Sequence, residues 1–387
     1  MGESSTVWGV SLAIALSFGC GQARDECRCP GGDAGESPGN AQGGEPNGSA
    51  GSSAEGGAGA ASRVVLGCRN QPLTLGPASS IDRAPQMVWT GSTFAVGWVS
   101  PDGYEVRLTD GSSISNTLIL SDMPEAGDPQ LFWTGSGLEL YYSLEDSVVV
   151  DSLQTNGGPL AVVRSDLVGV GSQFRAVLTE PGKVAVVTNG TLFLDGNSVP
   201  TRIFSIGELG WNGEYFLISS VLGHGEWNLN RLDTDGRAGP SPIELRWAGI
   251  NGNGRGGGSY FASTPNIGRH ALVVAASGEL TFAVEGFPTF ERAMLEPGAD
   301  ASVFWNGTYY LVLLANGPAT NGAGQRNIFL LAFTKEGDLV SDVAVPISEH
   351  AADERFPVGI AADQSTFGVA WIQDGELVVQ RCSAVFR

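Results

Sequence analysis

The segment Trp89-Thr90-Gly91-Ser92-Thr93-Phe94-Ala95-Val96 decides the fold, because its pattern recurs along the chain. A Trp, a polar residue and a Gly are followed, three and five positions after the Gly, by large apolar residues. The four strong copies are Trp89–Gly91, Trp133–Gly135, Trp211–Gly213 and Trp305–Gly307. Weaker copies begin near Pro181, Ile267 and Asp363. Six steps separate Gly91 from Asp363, so the period is about 45 residues, typical of four-stranded propeller blades.

Each repeat predicts a small antiparallel sheet. In the first repeat, short apolar runs separated by Gly and Pro turns predict four strands, at Gln86–Trp89, Thr93–Val99, Tyr104–Leu108 and Ile114–Leu120. The Gly of the first turn supplies the positive φ of a tight hairpin, and the Trp ring covers that hairpin. Such a sheet cannot bury both faces alone. We therefore predict an all-β fold, a ring of seven four-stranded blades, with six or eight as the alternative counts.

The pattern resembles a group of bacterial secreted repeat proteins with Trp-Asn-Gly followed by an aromatic and aliphatic strand and an Asp-Gly turn. The resemblance covers Ser62 to Arg387 and implies β-propeller architecture. It implies no particular activity, because propellers serve as binders, enzymes and structural modules.

The two ends of the repeat region are expected to meet. The last repeat has strands at Val358–Ala362, Thr366–Ile372 and Glu376–Cys382, one fewer than the others. The stretch Arg63–Leu75 has no repeat of its own, so we expect it to supply the missing outer strand. A disulfide between Cys68 and Cys382 would then close the ring.

The first 61 residues differ in composition from the rest. Residues 1–20 fit a signal peptide, with an apolar stretch from Val7 to Phe18. Leu16-Ser17-Phe18-Gly19-Cys20 resembles a bacterial lipoprotein signal, which implies lipidation of Cys20; cleavage after Ala23 is the alternative. Residues 21–61 are rich in Gly, Ser and Ala and are expected to form a disordered linker before the propeller at 62–387. The fate of Cys27 and Cys29 in this linker stays open.

Composition limits the classes of partner that the protein is expected to bind. The net charge is -20, and Lys183 and Lys335 are the two lysines, which disfavours nucleic acid. No run of eighteen apolar residues follows position 20, so membrane attachment is expected only through the lipid. We expect an exported monomer in the cell envelope, in the outer membrane or periplasm, or outside the cell.

Three apparent chemical motifs are better explained as structure. Asp233–Gly236 resembles the start of a calcium loop, but other repeats keep its Gly and lose its first carboxylate, which favours a hairpin turn. The G-x-G-x-x-G at Gly252–Gly257 precedes a predicted strand instead of the helix that a dinucleotide site needs. The histidines His224, His270 and His350 are scattered. We therefore predict no cofactor, no metal and no catalytic residue.

Function is expected where the repeats differ. Three divergent loops fall on one face of blades four to six, at Leu222–Asn228, Gly249–Gly258 and Ala315–Asn327. An aromatic ring beside His, Arg and amide side chains suits a protein or glycan ligand. The predicted binding residues are His224, Trp227, Arg255, Asn321 and Arg326.

Three other hypotheses remain open at this point. The loops could simply be long and tolerated, or the propeller could be a structural module without a ligand. It could also be a polysaccharide hydrolase or lyase with axial carboxylates such as Asp128 and Asp353. The leading prediction is a non-enzymatic binding module.

Overall fold

The structure is a computed structural model, and it is described for most of the repeat region. The chain divides into a unit at Met1–Gly57, outside the described residues, and a unit at Ala58–Arg387. The described residues are 64–68, 71–79, 83–121, 129–155, 159–170, 173–203, 206–222, 226–240, 259–264, 268–276, 279–293, 300–316, 326–340, 344–348 and 352–386.

Across these residues the chain forms 29 strands, β1 to β29, in seven antiparallel sheets. The first two strands are β1 (Val64–Cys68) and β2 (Leu73–Pro77). Blade 1 follows with β3 (Gln86–Trp89), β4 (Phe94–Ser100), β5 (Gly103–Thr109) and β6 (Ile114–Leu120). Blade 2 has β7 (Gln130–Trp133), β8 (Leu138–Leu144), β9 (Ser147–Gln154) and β10 (Ala161–Val170). Blade 3 has β11 (Phe174–Glu180), β12 (Lys183–Thr188), β13 (Thr191–Leu194) and β14 (Asn197–Pro200).

The next three blades repeat this order. Blade 4 has β15 (Leu209–Trp211), β16 (Phe216–Leu222), β17 (Glu226–Leu232) and β18 (Ala238–Pro240). Blade 5 has β19 (Ser259–Thr264), β20 (Arg269–Ala276), β21 (Glu279–Val284) and β22 (Phe290–Ala293). Blade 6 has β23 (Asp300–Trp305), β24 (Tyr310–Asn316), β25 (Asn327–Phe333) and β26 (Val345–Pro346). The described part of the chain contains no helix that could span a membrane.

Blade 7 joins the two ends of the ring. It contains β27 (Glu354–Ala361), β28 (Thr366–Gln373) and β29 (Glu376–Phe386). Both β1 and β2 pair antiparallel with β29, so the sheet has five strands. Cys68 lies opposite Cys382 in this register and is bonded to it. The predicted closing strand and disulfide are therefore confirmed.

The seven-bladed ring is confirmed by its packing. The inner strands β3, β7, β11, β15, β19, β23 and β27 contact one another around the axis, including β27 with β3. Seven apolar clusters each join neighbouring blades; one of them packs Phe94 and Trp98 of blade 1 against Leu377 of blade 7. Each sheet therefore buries both faces, which one isolated sheet could not do.

The recurring Trp-x-Gly triplet forms the turn between the first and second strands. The four glycines have φ between 91° and 101° at Gly91, Gly135, Gly213 and Gly307. The Trp305 ring lies 4.6 Å from that of Tyr310, and Trp211 lies 4.5 Å from Phe216. The predicted roles of the Gly and the Trp are both confirmed.

The residue between Trp and Gly is Thr in two of the strong copies and Asn in the other two, and the two residue types make different hydrogen bonds. Asn306 accepts hydrogen bonds on Oδ1 from the backbone N–H groups of Thr308 at 3.0 Å and Tyr309 at 2.7 Å. Its Nδ2 donates to the carbonyl of Gln364 in blade 7, at 2.7 Å. Thr90 closes its own hairpin by bonding Thr93, at 2.9 Å to the carbonyl. The Asn form thus links two blades, whereas the described bonds of the Thr form stay within one hairpin.

Several strands are longer than the sequence predicted. The loop predicted at Leu222–Asn228 is largely strand, because β16 runs to Leu222 and Glu226 already pairs with it. β27 begins at Glu354, four residues early, and a bulge interrupts its pairing between Arg355 and Val358. The closing segment divides into two strands and reaches Pro77. Local patterns missed these extensions because ladder pairing with a neighbouring strand fixes them.

Candidate functional site

A cavity of about 580 Å³ lies on the axis of the ring. Six of the seven inner strands or the residues just before them line it, together with the end of β4 and the start of β5, so it lies towards the end of the ring where the inner strands begin. We call this end of the ring the cavity face; it carries the connections between blades and the turns from second to third strands. The opposite end, with the Trp-x-Gly turns, is the turn face. The cavity face is the one on which the divergent loops were predicted to lie.

Two amides in the cavity wall join neighbouring inner strands. Gln86 Nε2 donates to the carbonyl of Pro129, and Gln86 Oε1 accepts from the backbone N–H of Leu131, both at 2.5 Å. Gln130 Oε1 accepts from the backbone N–H of Ala176 at 2.8 Å. These amides hold blades 1, 2 and 3 together around the cavity.

Three charged side chains also line the cavity: Arg83, Arg175 and Glu208. Arg175 Nε lies 3.9 Å from Glu208 Oε1, and its side chain is 23% exposed. Its NH1 donates to the carbonyl of Phe174 at 2.9 Å. The described lining therefore has two guanidinium groups and one carboxylate, an excess of positive charge in a chain of net charge -20.

Two buried hydroxyl groups in the lining have no hydrogen-bond partner within the described structure. Tyr104 is 3% exposed and Ser302 is 6% exposed. Burial raises the pKa of the Tyr104 hydroxyl, so this group stays protonated. The Tyr104 ring lies against Gly97, where a Cβ would collide with the hydroxyl oxygen. Gly97 thus makes room for an inward-facing phenol.

Arg326 is the predicted binding residue whose side chain is described. Its NH1 lies 3.6 Å from Asp300 Oδ2 and its Nε lies 3.8 Å from Asp353 Oδ1. Its backbone N–H donates to the carbonyl of Ala352 at 3.1 Å. Asp300 and Ser302 are two residues apart on β23, so their side chains share one face of that strand. Arg326 therefore stands beside the cavity wall and is 28% exposed.

The acidic residues at the start of β27 hold blades 6 and 7 together. Asp353 Oδ2 accepts from Arg355 Nε at 2.6 Å. Glu354 is fully buried, and its Oε2 accepts from the backbone N–H of Ile328 at 3.1 Å and from Ser348. These contacts indicate a scaffold role for Asp353 and Glu354.

On the turn face, a polar network lies buried between blades 4 and 5. His270 is fully buried, and its Nε2 lies 3.3 Å from the carbonyl of Tyr215. Tyr215 donates to Glu285, whose other oxygen accepts from the backbone N–H of His270 at 3.3 Å. Burial lowers the pKa of His270 to about 4. His270, one of the three scattered histidines of the sequence, is thus part of a hydrogen-bond network that joins blades 4 and 5.

The other predicted site residues cannot be placed. Trp227 belongs to β17, opposite Val221, but its side chain lies outside the description. His224, Arg255, Asn321, Cys20 and Asp128 lie outside the described residues altogether. The assignment of these residues to a binding site stays a prediction.

The axial cavity was not predicted from the sequence, although a signal for it was present. The residue three positions before each strongly repeated Trp is polar, and all four of these residues line the cavity: Gln86, Gln130, Glu208 and Ser302. The repeat placed them at equivalent positions. Only ring closure showed that those positions face a common space.

Comparison with known proteins identifies the fold and no family. No protein-family model matches the sequence, and no curated protein does. Among solved structures, a catalytically inactive virginiamycin B lyase from Staphylococcus aureus with quinupristin is 11% identical, with a TM-score of 0.52, covering 83% of this chain and 99% of that one. The selenomethionine-substituted lyase is 10% identical with a TM-score of 0.51, over the same shares. The SapL1 lectin with alpha methyl fucoside is 12% identical, with a TM-score of 0.41 over 68% of this chain and 97% of that one. The chain is similar to the two lyase structures in fold. The resemblance to secreted Trp-Asn-Gly repeat proteins stays a prediction beyond that fold.

Proposed function

We propose that the protein is an exported, non-enzymatic β-propeller that binds part of a glycan or protein in its axial cavity. The observation that carries this proposal is the cavity of about 580 Å³ with its mixed lining of amides, charges and buried hydroxyls. Volumes of this order are usual for ligand sites, and a few convergent polar groups in a concave apolar wall orient a ligand. The predicted loop residues, from His224 to Arg326, would extend the site along the cavity face.

The arrangement of carboxylates favours binding over glycoside chemistry. Glycosidases need two carboxyl groups about 5 to 10 Å apart across the scissile bond. Glu208 is the one carboxylate in the described lining, and Arg175 lies 3.9 Å from it. Asp353 is engaged by Arg355 and lies near Arg326. Asp353 therefore already has two guanidinium groups as neighbours.

Blocking the cavity tests the proposal. Ala84 lines the cavity and is half-buried, so Ala84→Trp would place an indole in it. Ser92→Trp adds the same ring to an exposed turn on the opposite face and is the matched control. The ligand would first be found on glycan and peptide arrays. We expect Ala84→Trp to weaken binding at least about tenfold and Ser92→Trp to leave it unchanged.

Two outcomes would overturn the proposal. Unchanged affinity of Ala84→Trp for every ligand found would show that the cavity is not the site. Conversion of an array glycan to shorter products, lost in Glu208→Gln, would favour the hydrolase or lyase alternative.

Export and lipid anchoring form a separate part of the proposal. The Cys68–Cys382 disulfide suits an oxidising compartment, and the lipoprotein-like sequence at Cys20 suits an anchor. Mass spectrometry of the mature protein from its native membrane should show an acylated Cys20 as the first residue. A mature chain that begins after Ala23 would contradict the anchor but not the export.

A further inference from the structure

The outer edge of blade 2 carries a long strand that is paired on one side. This strand, β10, has ten residues, whereas the outer strands of the other blades have between two and seven. Within the described residues β10 pairs with β9 alone, so its other edge presents unpaired backbone N–H and C=O groups. Such an edge is a template for a further strand.

The side chains of this edge strand are open to solvent as well. Val163 and Leu167 are 59% and 67% exposed, more than any other large apolar side chain in the described part of the chain. Between them lie Arg164, Ser165 and Asp166, and both charged side chains are exposed. Large apolar side chains on an open strand edge favour association with another strand.

The sequence of this edge is complementary to itself when it is read in the opposite direction. Two antiparallel copies centred on Ser165 would place Arg164 opposite Asp166 of the second copy, and Val163 opposite Leu167. Because such a pairing is two-fold symmetric, each of these contacts occurs twice. Opposite charges and apolar pairs that face each other across two antiparallel strands are stabilising. A register shifted by one residue in either direction would oppose a charged residue to an apolar one.

The charges of this edge already lie on one side of the strand. Arg164 Nε is 2.5 Å from Asp166 Oδ2, and residues two apart on a strand project to the same face. In the paired strands, two arginines and two aspartates would form a network of alternating sign, which contributes more than an isolated surface ion pair. Two copies of a chain with a net charge of -20 repel each other, so a locally neutral edge is a favourable place for contact.

The geometry of β10 suits a short contact with this centre. Ser165 is small and its hydroxyl donates to Asp151 Oδ1 at 2.5 Å, so it could face its own copy without a missing bond. The ladder between β10 and β9 is regular from Arg164 to Leu167, with a bulge on either side. Val163 is the extra residue of the first bulge, so it has no partner on β9. Bulges limit the pairing of an edge strand, so the contact would end where they begin.

From these observations we propose that two copies of the protein pair through β10, in an antiparallel strand contact centred on Ser165. The contact closes after two copies, because a two-fold contact uses the same surface of both. This dimer differs from the monomer expected from the sequence. It lies on the rim of the ring and does not depend on the axial cavity or on its ligand.

Sedimentation equilibrium of the whole folded protein tests whether the pair forms. A short strand contact buries little surface, so we expect a dissociation constant on the order of 10 µM. A protein that sediments as a monomer at about 200 µM would overturn the proposal.

Exchanging the charges tests the register. Arg164→Asp would oppose aspartate to aspartate twice and should weaken the dimer at least about tenfold. Adding Asp166→Arg restores opposite charges and should return the dissociation constant to within about threefold of the original. Arg237→Asp is the matched control, because Arg237 also forms an exposed ion pair with a residue two positions away, Asp235, at 3.1 Å. It should leave the dimer unchanged.

A cysteine at the centre tests the geometry. Ser165 would lie opposite itself, with Cα atoms about 4.5 to 5.5 Å apart, which is within the range of a disulfide. Ser165→Cys should therefore link two copies on mild oxidation, and mass spectrometry should find two identical peptides joined at position 165. Thr117→Cys, on the exposed outer strand of blade 1, is the matched control and should give no such symmetric link.

Three further results would overturn the self-pairing. A dimer that Arg164→Asp leaves intact would use another surface, and a dimer that the double exchange fails to restore, or that gives no link at position 165, would have another register. A monomer in which Arg164→Asp weakens binding of an array peptide would assign β10 to a strand of a different protein. The dimer and the cavity can fail separately, because Arg164 is not part of the cavity lining.

Discussion

The two faces of the ring both join blades through polar side chains, but they differ in the buried hydroxyl groups that they contain. On the turn face, Asn306 places both ends of its amide in hydrogen bonds, and Tyr215 donates to Glu285. On the cavity face, Tyr104 and Ser302 keep buried hydroxyls without a partner among the described residues. The repeated turns complete their bonds within the protein and hold it together. In the cavity wall Gln86 and Gln130 also bond across blades, whereas the two buried hydroxyls there have no described partner.

The disulfide near the turn face should give the largest effect on stability. Cys68 and Cys382 are 314 residues apart in a chain of 387, so their bond restricts most of the unfolded chain. We expect Cys68→Ala combined with Cys382→Ala to lower the free energy of unfolding by about 4 kcal/mol, measured in urea. Ligand affinity of the folded fraction should not change. A loss of affinity with intact stability would contradict the division between the faces.

Acid should lower the free energy of unfolding through His270, by a somewhat smaller amount than removal of the disulfide. The pKa of His270 is lowered from 6.5 to about 4 in the folded protein, so the unfolded chain takes up the proton first. The buried neutral imidazole of His270 makes its full contribution to stability above pH 6.5, and this contribution is lost as the pH falls towards 4. The loss should reach about 3 kcal/mol. The free energy of unfolding of His270→Gln should fall less steeply between pH 7 and 4 than that of the unchanged protein. An identical slope would show that protonation of His270 does not cause the loss.

Exchanging the two kinds of turn residue should have an intermediate effect. Asn306→Thr keeps an oxygen that can close the hairpin but removes the bond to Gln364 of blade 7. We expect the free energy of unfolding to fall by about 1 kcal/mol, and by about 2 kcal/mol for Asn306→Ala, which removes the hairpin bonds as well. Equal losses in the two variants would mean that the interblade bond contributes nothing.

Removal of a hydroxyl should have the smallest effect on the cavity face. Ser302→Ala deletes an unpartnered group and should leave the free energy of unfolding unchanged or raise it by up to about 1 kcal/mol. Thr109→Val is its counterpart on the turn face. Thr109 donates to the carbonyl of Ser113 at 2.7 Å and accepts from the backbone N–H of Gly111 at 3.0 Å, so its loss should cost about 1 kcal/mol. Similar losses in both variants would show that Ser302 also has a structural bond.

The sequence predicted the ring more completely than it predicted the site. The spacing of the Trp-x-Gly triplets determined the number of blades, because each hairpin turn is specified by residues that adjoin in the chain. The unpaired segment before blade 1 and the two matching cysteines determined closure. Strand ends were less predictable, as at Leu222 and Glu226, because a ladder extends as far as its neighbour allows.

What only the tertiary structure decided is the interior of the ring. Gln86, Gln130, Glu208 and Ser302 are separated by between 44 and 94 residues from one to the next, and they share a cavity because closure turns the first strand of each blade towards one axis. Tyr104 reaches that space because Gly97, on the neighbouring strand, has no side chain. Periodicity specifies which positions are equivalent, since equivalent residues make the same local contacts. It cannot specify which groups meet across the axis or which are left without a partner, because those distances exist only once the last blade has joined the first.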